Sequence, residues 1–196
     1  MVSFPQSFQS ASLRPRLRLV QGGQESVPEL DPDGVPDLGA LYRRYAPYVA
    51  TIAFRMTGRD ADVDDIVSET FYEAVRCWDR LEDRNQLKGW LATVAVRVAG
   101  KRLRRRRLRQ RLGIERRAEY EEVASPDASP EQRALLARVY QALDRLPTEE
   151  RFAWTLRHIE GEDLQTIAER LDLSLATVKR RIAAARTRLQ KELGRG

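Results

Sequence analysis

Little in this sequence is equipped for covalent chemistry. Its 196 residues hold one cysteine, Cys77, and one histidine, His158. A lone cysteine excludes an internal disulfide framework, and the two together leave almost no soft ligands for zinc. Core or surface filling is the expected use of both, with no metal, no cofactor and no catalytic residue. No apolar run approaches the roughly 20 residues that a membrane span requires, so no membrane insertion is expected. The period-two alternation of a half-buried strand is missing as well, which leaves an all-α fold.

What is present is charge. Lys and Arg number 35 against 29 Asp and Glu, a net charge of +6. A positive excess favours an anionic partner, because basic side chains displace counterions condensed on phosphate. Its distribution says more than its size.

Residues 1–37 are expected to be a disordered tail. They contain five prolines and no sustained periodicity, and cannot bury enough apolar surface to offset the entropy of ordering. The first 24 residues lack acids, which superficially matches a transit peptide, but they have no secretory apolar core. A cytoplasmic protein is the expectation. Residues 38–114 then carry three helical patterns. Leu41, Tyr45, Val49, Ile52 and Met56 recur at spacings of three and four, on one face of a helix. Gly58 stands at the expected C-cap. Asp62 is placed to cap a second helix with Val63, Val67, Ala74 and Trp78 on its inner face. Leu87, Leu91, Val94 and Val98 line a third, which runs on into Lys101 to Arg107. Three such helices with short connections make a bundle.

Residues 115–130 are polar and acidic, with Ser125-Pro126 and Ser129-Pro130, and are expected to be a flexible linker. Residues 131–196 form a second helical unit. Leu135, Leu136, Val139, Leu143 and Leu146 mark its first helix, stopped by Pro147. Thr148 is expected to cap the next, which ends at Gly161.

The segment Asp163 to Leu193 is the most informative. Asp163 caps a short helix with Leu164, Ile167, Ala168 and Leu171 inward. Asp172-Leu173-Ser174 makes a tight turn, and Ser174 is a good N-cap for a following helix. There Val178, Ile182, Ala185, Leu189 and Leu193 form the buried stripe, while Ala176, Arg180, Ala183 and Thr187 fall opposite. Thr177, Lys179, Arg181, Arg186 and Arg188 flank that outer face. Small residues let a helix backbone approach base edges, and flanking cations reach phosphates on both rims of the groove. A helix-turn-helix for duplex DNA is expected, with Ser174, Ala176, Thr177, Lys179, Arg180, Arg181 and Arg186 as its contacts. An ordinary helical hairpin with a wet basic face is the competing interpretation.

Two charged tracts remain. Lys101 to Arg111 is dense enough in cations to need a polyanion, either DNA or RNA. Upstream of it Thr93, Val96, Arg97, Gly100 and Arg104 are expected on the helix face turned from the core, where they could address a single strand. Arg84, Asn85 and Trp90 could receive an unstacked base. The second helix is acidic instead: Asp60, Asp62, Asp64, Asp65, Glu69 and Glu73. Asp65, Glu69 and Glu73 repel one another at i, i+4 and i+8, and a protein partner with a basic surface would relieve that repulsion. Solvation alone also fits, whereas helix-borne acids without histidine or a glycine-bearing loop are poor metal ligands. An operator-binding regulator and an RNA-binding adaptor remain open on these residues.

Taken together, the motifs resemble the extracytoplasmic-function (ECF) sigma factors. The resemblance rests on Asp62-Val63-Asp64-Asp65-Ile66-Val67-Ser68-Glu69-Thr70-Phe71 and Trp90-Leu91-Ala92-Thr93-Val94-Ala95 in the first unit. In the second it rests on Leu146-Pro147-Thr148-Glu149-Glu150-Arg151, Leu156 to Gly161, Ile167 to Leu171 and Thr177-Val178-Lys179. It implies a sigma factor that binds core RNA polymerase and directs promoter-specific initiation. Residues 38–114 would correspond to region 2 and residues 131–196 to region 4. Asp62, Asp64, Asp65, Ile66, Glu69 and Phe71 would dock on the clamp helices of the large subunit, with its flap as a further partner surface. Arg84, Asn85, Trp90, Thr93, Arg97, Lys101 and Arg104 would recognise and melt the −10 element. The helix-turn-helix would read the −35 element, and an anti-sigma protein is a candidate partner. The chain departs from the family pattern at Ser68, Ala95-Val96-Arg97 and Lys101, so no base preference at −10 is carried over.

Overall fold

The computed structural model describes residues 37–78, 87–115, 120 and 129–194. The expected disordered tail, most of the expected flexible linker and the loop holding Arg84 and Asn85 lie outside the described residues. The elements are α1 (Leu38–Thr57), α2 (Val63–Arg76), α3 (Leu87–Arg111), α4 (Pro130–Arg145), α5 (Thr148–His158), α6 (Leu164–Leu171) and α7 (Leu175–Leu193). A 3-10 turn, Asp60–Asp62, precedes α2. No strand occurs among the described residues, and the fold is all-α as expected.

Local signals set most of the boundaries. Asp37 caps α1 by accepting from the Gly39 N–H. Gly58 closes α1 in the left-handed region at φ 69, where a Cβ would overlap the ring of Tyr140. Ser129 and Gln132 form a reciprocal capping box at α4, which satisfies two otherwise orphaned donors. Two expected caps are not made. Asp62 makes no cap bond to α2, because its carboxylate is drawn to Arg102 and Arg106 of α3. Thr148 is the first helical residue of α5, after Pro147 at the N-cap, and its hydroxyl accepts from Arg107.

Helices α1, α2 and α3 form the first bundle, and α4 to α7 form the second. The two share one continuous apolar core. Helix α3 packs against α5 and α6 as well as against α1 and α2, so apolar and small residues appear on nearly every side of it. The seam is polar at its centre. Arg151 of α5 is completely buried. It donates from Nε to the Met56 carbonyl at 3.2 Å and from Nη2 to the Thr57 carbonyl at 2.7 Å, and it pairs with Asp144 of α4. The C-terminal end of α1 thus hands its orphan carbonyls to a guanidinium from the other bundle. Arg106 of α3, 3% exposed, reaches Asp62 at 3.3 Å on one side and Asp144 at 2.9 Å on the other. Tyr120 lies buried here too, accepting from Arg106 and stacking on Tyr140. A segment expected to be polar linker therefore contributes a residue to the core.

Candidate nucleic-acid interface

The helix-turn-helix is assembled from short-range bonds. Asp163 accepts from the backbone N–H groups of Gln165 and Thr166, both at 2.9 Å, to start α6. Hydrogen bonding to its ionised form holds this exposed carboxyl below the ordinary aspartate range. Asp172 ends α6 at φ 55, a left-handed conformation that Asp tolerates better than most residues. The Leu173 N–H then returns to the Ala168 carbonyl. Ser174 caps α7 through the Thr177 N–H, and the two hydroxyls lie 2.8 Å apart. These bonds fix the angle between α6 and α7, and with it the surface that α7 presents.

That surface matches the expected one. Val178, Ala185 and Leu189 are buried, while Ala176, Lys179, Arg180, Ala183, Arg186 and Thr187 are exposed. Thr177 and Arg181 are half-buried at its edges. Lys179, Arg180, Arg181 and Arg186 form no salt bridge among the described residues. At the end of α5, His158 is partly exposed and packs on Trp154 at 5.0 Å between ring centres. Burial, reinforced by Arg157 and Arg186, holds its imidazole below the ordinary histidine value.

Helix α3 is a different kind of surface. Arg97, Lys101, Arg104 and Arg105 make an exposed cationic edge. The neighbouring stripe, expected on a face turned from the core, is covered by the second bundle. Val96 is 1% exposed and Gly100 is buried against Phe152. Arg170 of α6 donates to the Gly89 carbonyl at 2.7 Å and to the Thr93 hydroxyl at 3.0 Å. Trp90 is half-buried, edge-on to Trp78 at 6.3 Å. The error is one of range: period 3.6 identified the face turned from the first bundle but not its partner in the second.

The acidic residues of α2 are not set apart from the arginine tract. Arg102 pairs with both Asp62 and Asp65, and Lys101 with Glu69 at 3.2 Å. Asp64 is exposed and makes no salt bridge among the described residues. Ile66 and Phe71, expected on the polymerase-facing surface, are core residues, buried beneath the acids. Phe71 meets Tyr42 at 4.8 Å, so both contribute to the position of the acidic face without forming part of it. Tyr72 and Val75 are the exposed apolar residues of this helix; they lie off the Val63, Val67, Ala74 stripe, so periodicity alone does not single them out.

Among the described residues Arg107, half-buried, bonds neutral acceptors alone, the Thr148 hydroxyl at 3.0 Å and the Asp144 carbonyl at 3.1 Å. Burial, with Arg151 beside it, pushes its pKa down. No group of three or more His, Cys, Asp or Glu that could hold a metal occurs among the described residues. No helix among them is long and apolar enough to cross a membrane.

Comparison with known proteins agrees with this geometry. Sigma-70 region 2 matches residues 41–109 and sigma-70 region 4 matches residues 136–189. The ECF RNA polymerase sigma factor SigE of Mycolicibacterium smegmatis is 32% identical over 170 residues, covering 84% of this chain and 65% of that protein. The RNA polymerase sigma factor CnrH of Cupriavidus metallidurans is 33% identical over 159 residues, covering 77% of this chain and 83% of that protein. Among solved structures, the sigma factor RpoE of Bartonella quintana, in complex with the anti-sigma factor NepR, has a TM-score of 0.60 at 22% identity. It covers 81% of this chain and 97% of its own, a likeness of fold. CnrH in complex with the cytosolic domain of CnrY has a TM-score of 0.53 at 27% identity over 80% of this chain and 87% of its own. With the two conserved-region matches in the order in which the two bundles occur, the chain belongs to the ECF sigma factors, a family of promoter-specific transcription initiation factors.

Proposed function

We propose that this chain binds core RNA polymerase through the acidic face of α2 and holds promoter DNA at two separate places. Helix α7 lies in the major groove of the −35 element, with Arg180 and the small residues Ala176 and Ala183 toward base edges. Lys179, Arg181 and Arg186 hold the flanking phosphates. Helix α3 and the loop before it take the −10 element, with Arg97, Lys101 and Arg104 on its backbone. The observation that carries this reading is the outer face of α7: exposed, basic, small at its centre and fixed by a capped turn. Asp64 and its neighbours on α2 meet the clamp helices of the large subunit, where opposite charge speeds encounter.

The protein itself performs no chemistry. Melting requires only that captured bases offset the cost of unpairing, while phosphoryl transfer belongs to the polymerase. It acts in the cytoplasm, and an anti-sigma protein is a further partner; CnrH bound to the cytosolic domain of CnrY supports a protein partner of this kind by likeness.

Co-purification with core polymerase tests the docking surface. Asp64→Lys reverses a charge that no described residue pairs with, so the fold is expected to survive while retention on the polymerase falls. Unchanged retention by a correctly folded variant counts against α2 as the docking face.

A further inference from the structure

We infer that the cleft where the ends of α3 and α4 meet α7 is a binding site for the polyphosphate group of a nucleotide. The cleft encloses about 740 Å³, within the range of ordinary small-molecule sites. None of the residues lining it is a proposed contact to polymerase or promoter. Four arginines converge on it from three helices: Arg107 and Arg111 of α3, Arg145 of α4 and Arg188 of α7. Two acids share the lining, and both are spent elsewhere. Asp144 is held by Arg106 and Arg151, and Glu115 by Arg59 at 3.5 Å and Arg109 at 2.8 Å.

The arginines are less fully compensated. Arg111 is exposed and forms no salt bridge among the described residues. Arg107 gives its described bonds to the Thr148 hydroxyl and the Asp144 backbone carbonyl. Burial and the nearby Arg151 both disfavour its charge, and an anion in the cleft would offset that. Arg145 and Arg188 each keep one carboxylate, Glu192 and Glu150 respectively, and a guanidinium has donors left for a second anion. A cleft so lined focuses positive potential. Guanidinium forks arriving from three helices suit several phosphate oxygens at once. Leu146 and Pro147 add an apolar stretch of wall and Gln141 an exposed amide, which fits a base and sugar attached to those phosphates. An extended nucleic-acid strand fits less well, because it needs its cations in file along a groove, whereas these close on one recess.

The test titrates the full chain with ATP by calorimetry, with adenosine and inorganic phosphate in parallel. ATP is expected to bind at one site and adenosine not at all. Inorganic phosphate should bind at least about tenfold more weakly, since one group reaches fewer of the guanidiniums. Arg111→Gln and Arg145→Gln each remove an exposed cation at little risk to the fold. Each should weaken ATP by about tenfold, the scale of one charge-assisted bond. Arg43→Gln, at an exposed arginine of α1 outside the cleft, should leave ATP affinity unchanged. A wild-type chain that does not bind ATP overturns the site, as does an ATP affinity that Arg43→Gln lowers as much as Arg111→Gln. A short single-stranded oligonucleotide that displaces ATP at lower concentration, and is itself weakened by Arg111→Gln and Arg145→Gln, would assign the cleft to a strand instead and overturn the proposal.

Discussion

Two helices in this protein carry dense arginine, and the fold treats them in opposite ways. On α3, Lys101, Arg102, Arg106 and Arg109 are engaged by carboxylates of Asp62, Asp65, Glu69, Asp144 or Glu115, and its outer edge, Arg97, Arg104 and Arg105, has no salt bridge among the described residues. On α7, Arg188 pairs with Glu150, while Lys179, Arg180, Arg181 and Arg186 have no acid partner among the described residues. Local composition does not separate the two tracts. The neighbours do: α3 lies beside the acidic α2 and beneath the second bundle, whereas the outer side of α7 faces solvent. Arginine density therefore says that an anion is wanted. Whether it is supplied from within or without depends on what packs alongside.

The comparison can be broken most severely at the seam. Arg151→Ala leaves Asp144 with less compensation and strips the Met56 and Thr57 carbonyls of their donor. Breaking a buried pair of this kind costs about 3–5 kcal/mol, and chemical denaturation should show a loss of that size. A change below about 1 kcal/mol, the scale of an exposed pair, would mean that the guanidinium is solvated after all. The second contrast lies within α7. Arg180→Ala should lower affinity for a cognate −35 duplex more than for random duplex, by about 1–3 kcal/mol of discrimination. Lys179→Ala should weaken binding to all sequences alike and reduce the salt slope by about one. Equal losses on both duplexes for both variants would remove base reading from this helix.

The smallest effect concerns pH. A histidine whose folded pKa is depressed contributes stability that is complete above its ordinary value of about 6.5 and is lost as pH falls through the folded value. His158 is such a residue. Glu160 and Glu162, raised by burial, act in the opposite sense, since their stability declines as pH rises past the ordinary glutamate range. The informative quantity is therefore the difference between wild type and His158→Gln in unfolding free energy across the window below pH 6.5. That difference should change with pH in this window and be flat above it. A difference that is flat throughout would show that His158 titrates normally.

Much of the fold was legible because its signals are local. Asp163, Ser174 and Gly58 act within four residues of themselves, and the caps they make are found where the residue types suggest; Ser129, expected in the linker, turns out to cap α4. The outer face of α7 was legible for the same reason, since one helical period fixes which residues share a side. The misplaced residues all depend on distant partners. Asp62 has the chemistry of a cap, but two arginines some 40 residues away along α3 offer its carboxylate charge-assisted bonds. Ile66 and Phe71 sit within a motif whose acids are exposed, yet their own burial follows from α1 and α3 closing on them. Tyr120 is a lone aromatic in a polar segment, and no periodicity could announce that Arg106 and Tyr140 would receive it.

By itself, then, the sequence determined the seven helices of the described residues, the capped turn before α7 and which side of α7 meets solvent, because each follows from hydrogen bonds and spacings within one or two turns. The tertiary structure decided which charges cancel and which face of α3 is covered. Those outcomes depend on Asp144, Arg151 and Phe152 arriving from the far bundle, and the free energy of a buried ion pair or a covered stripe exists only once both sides are in place.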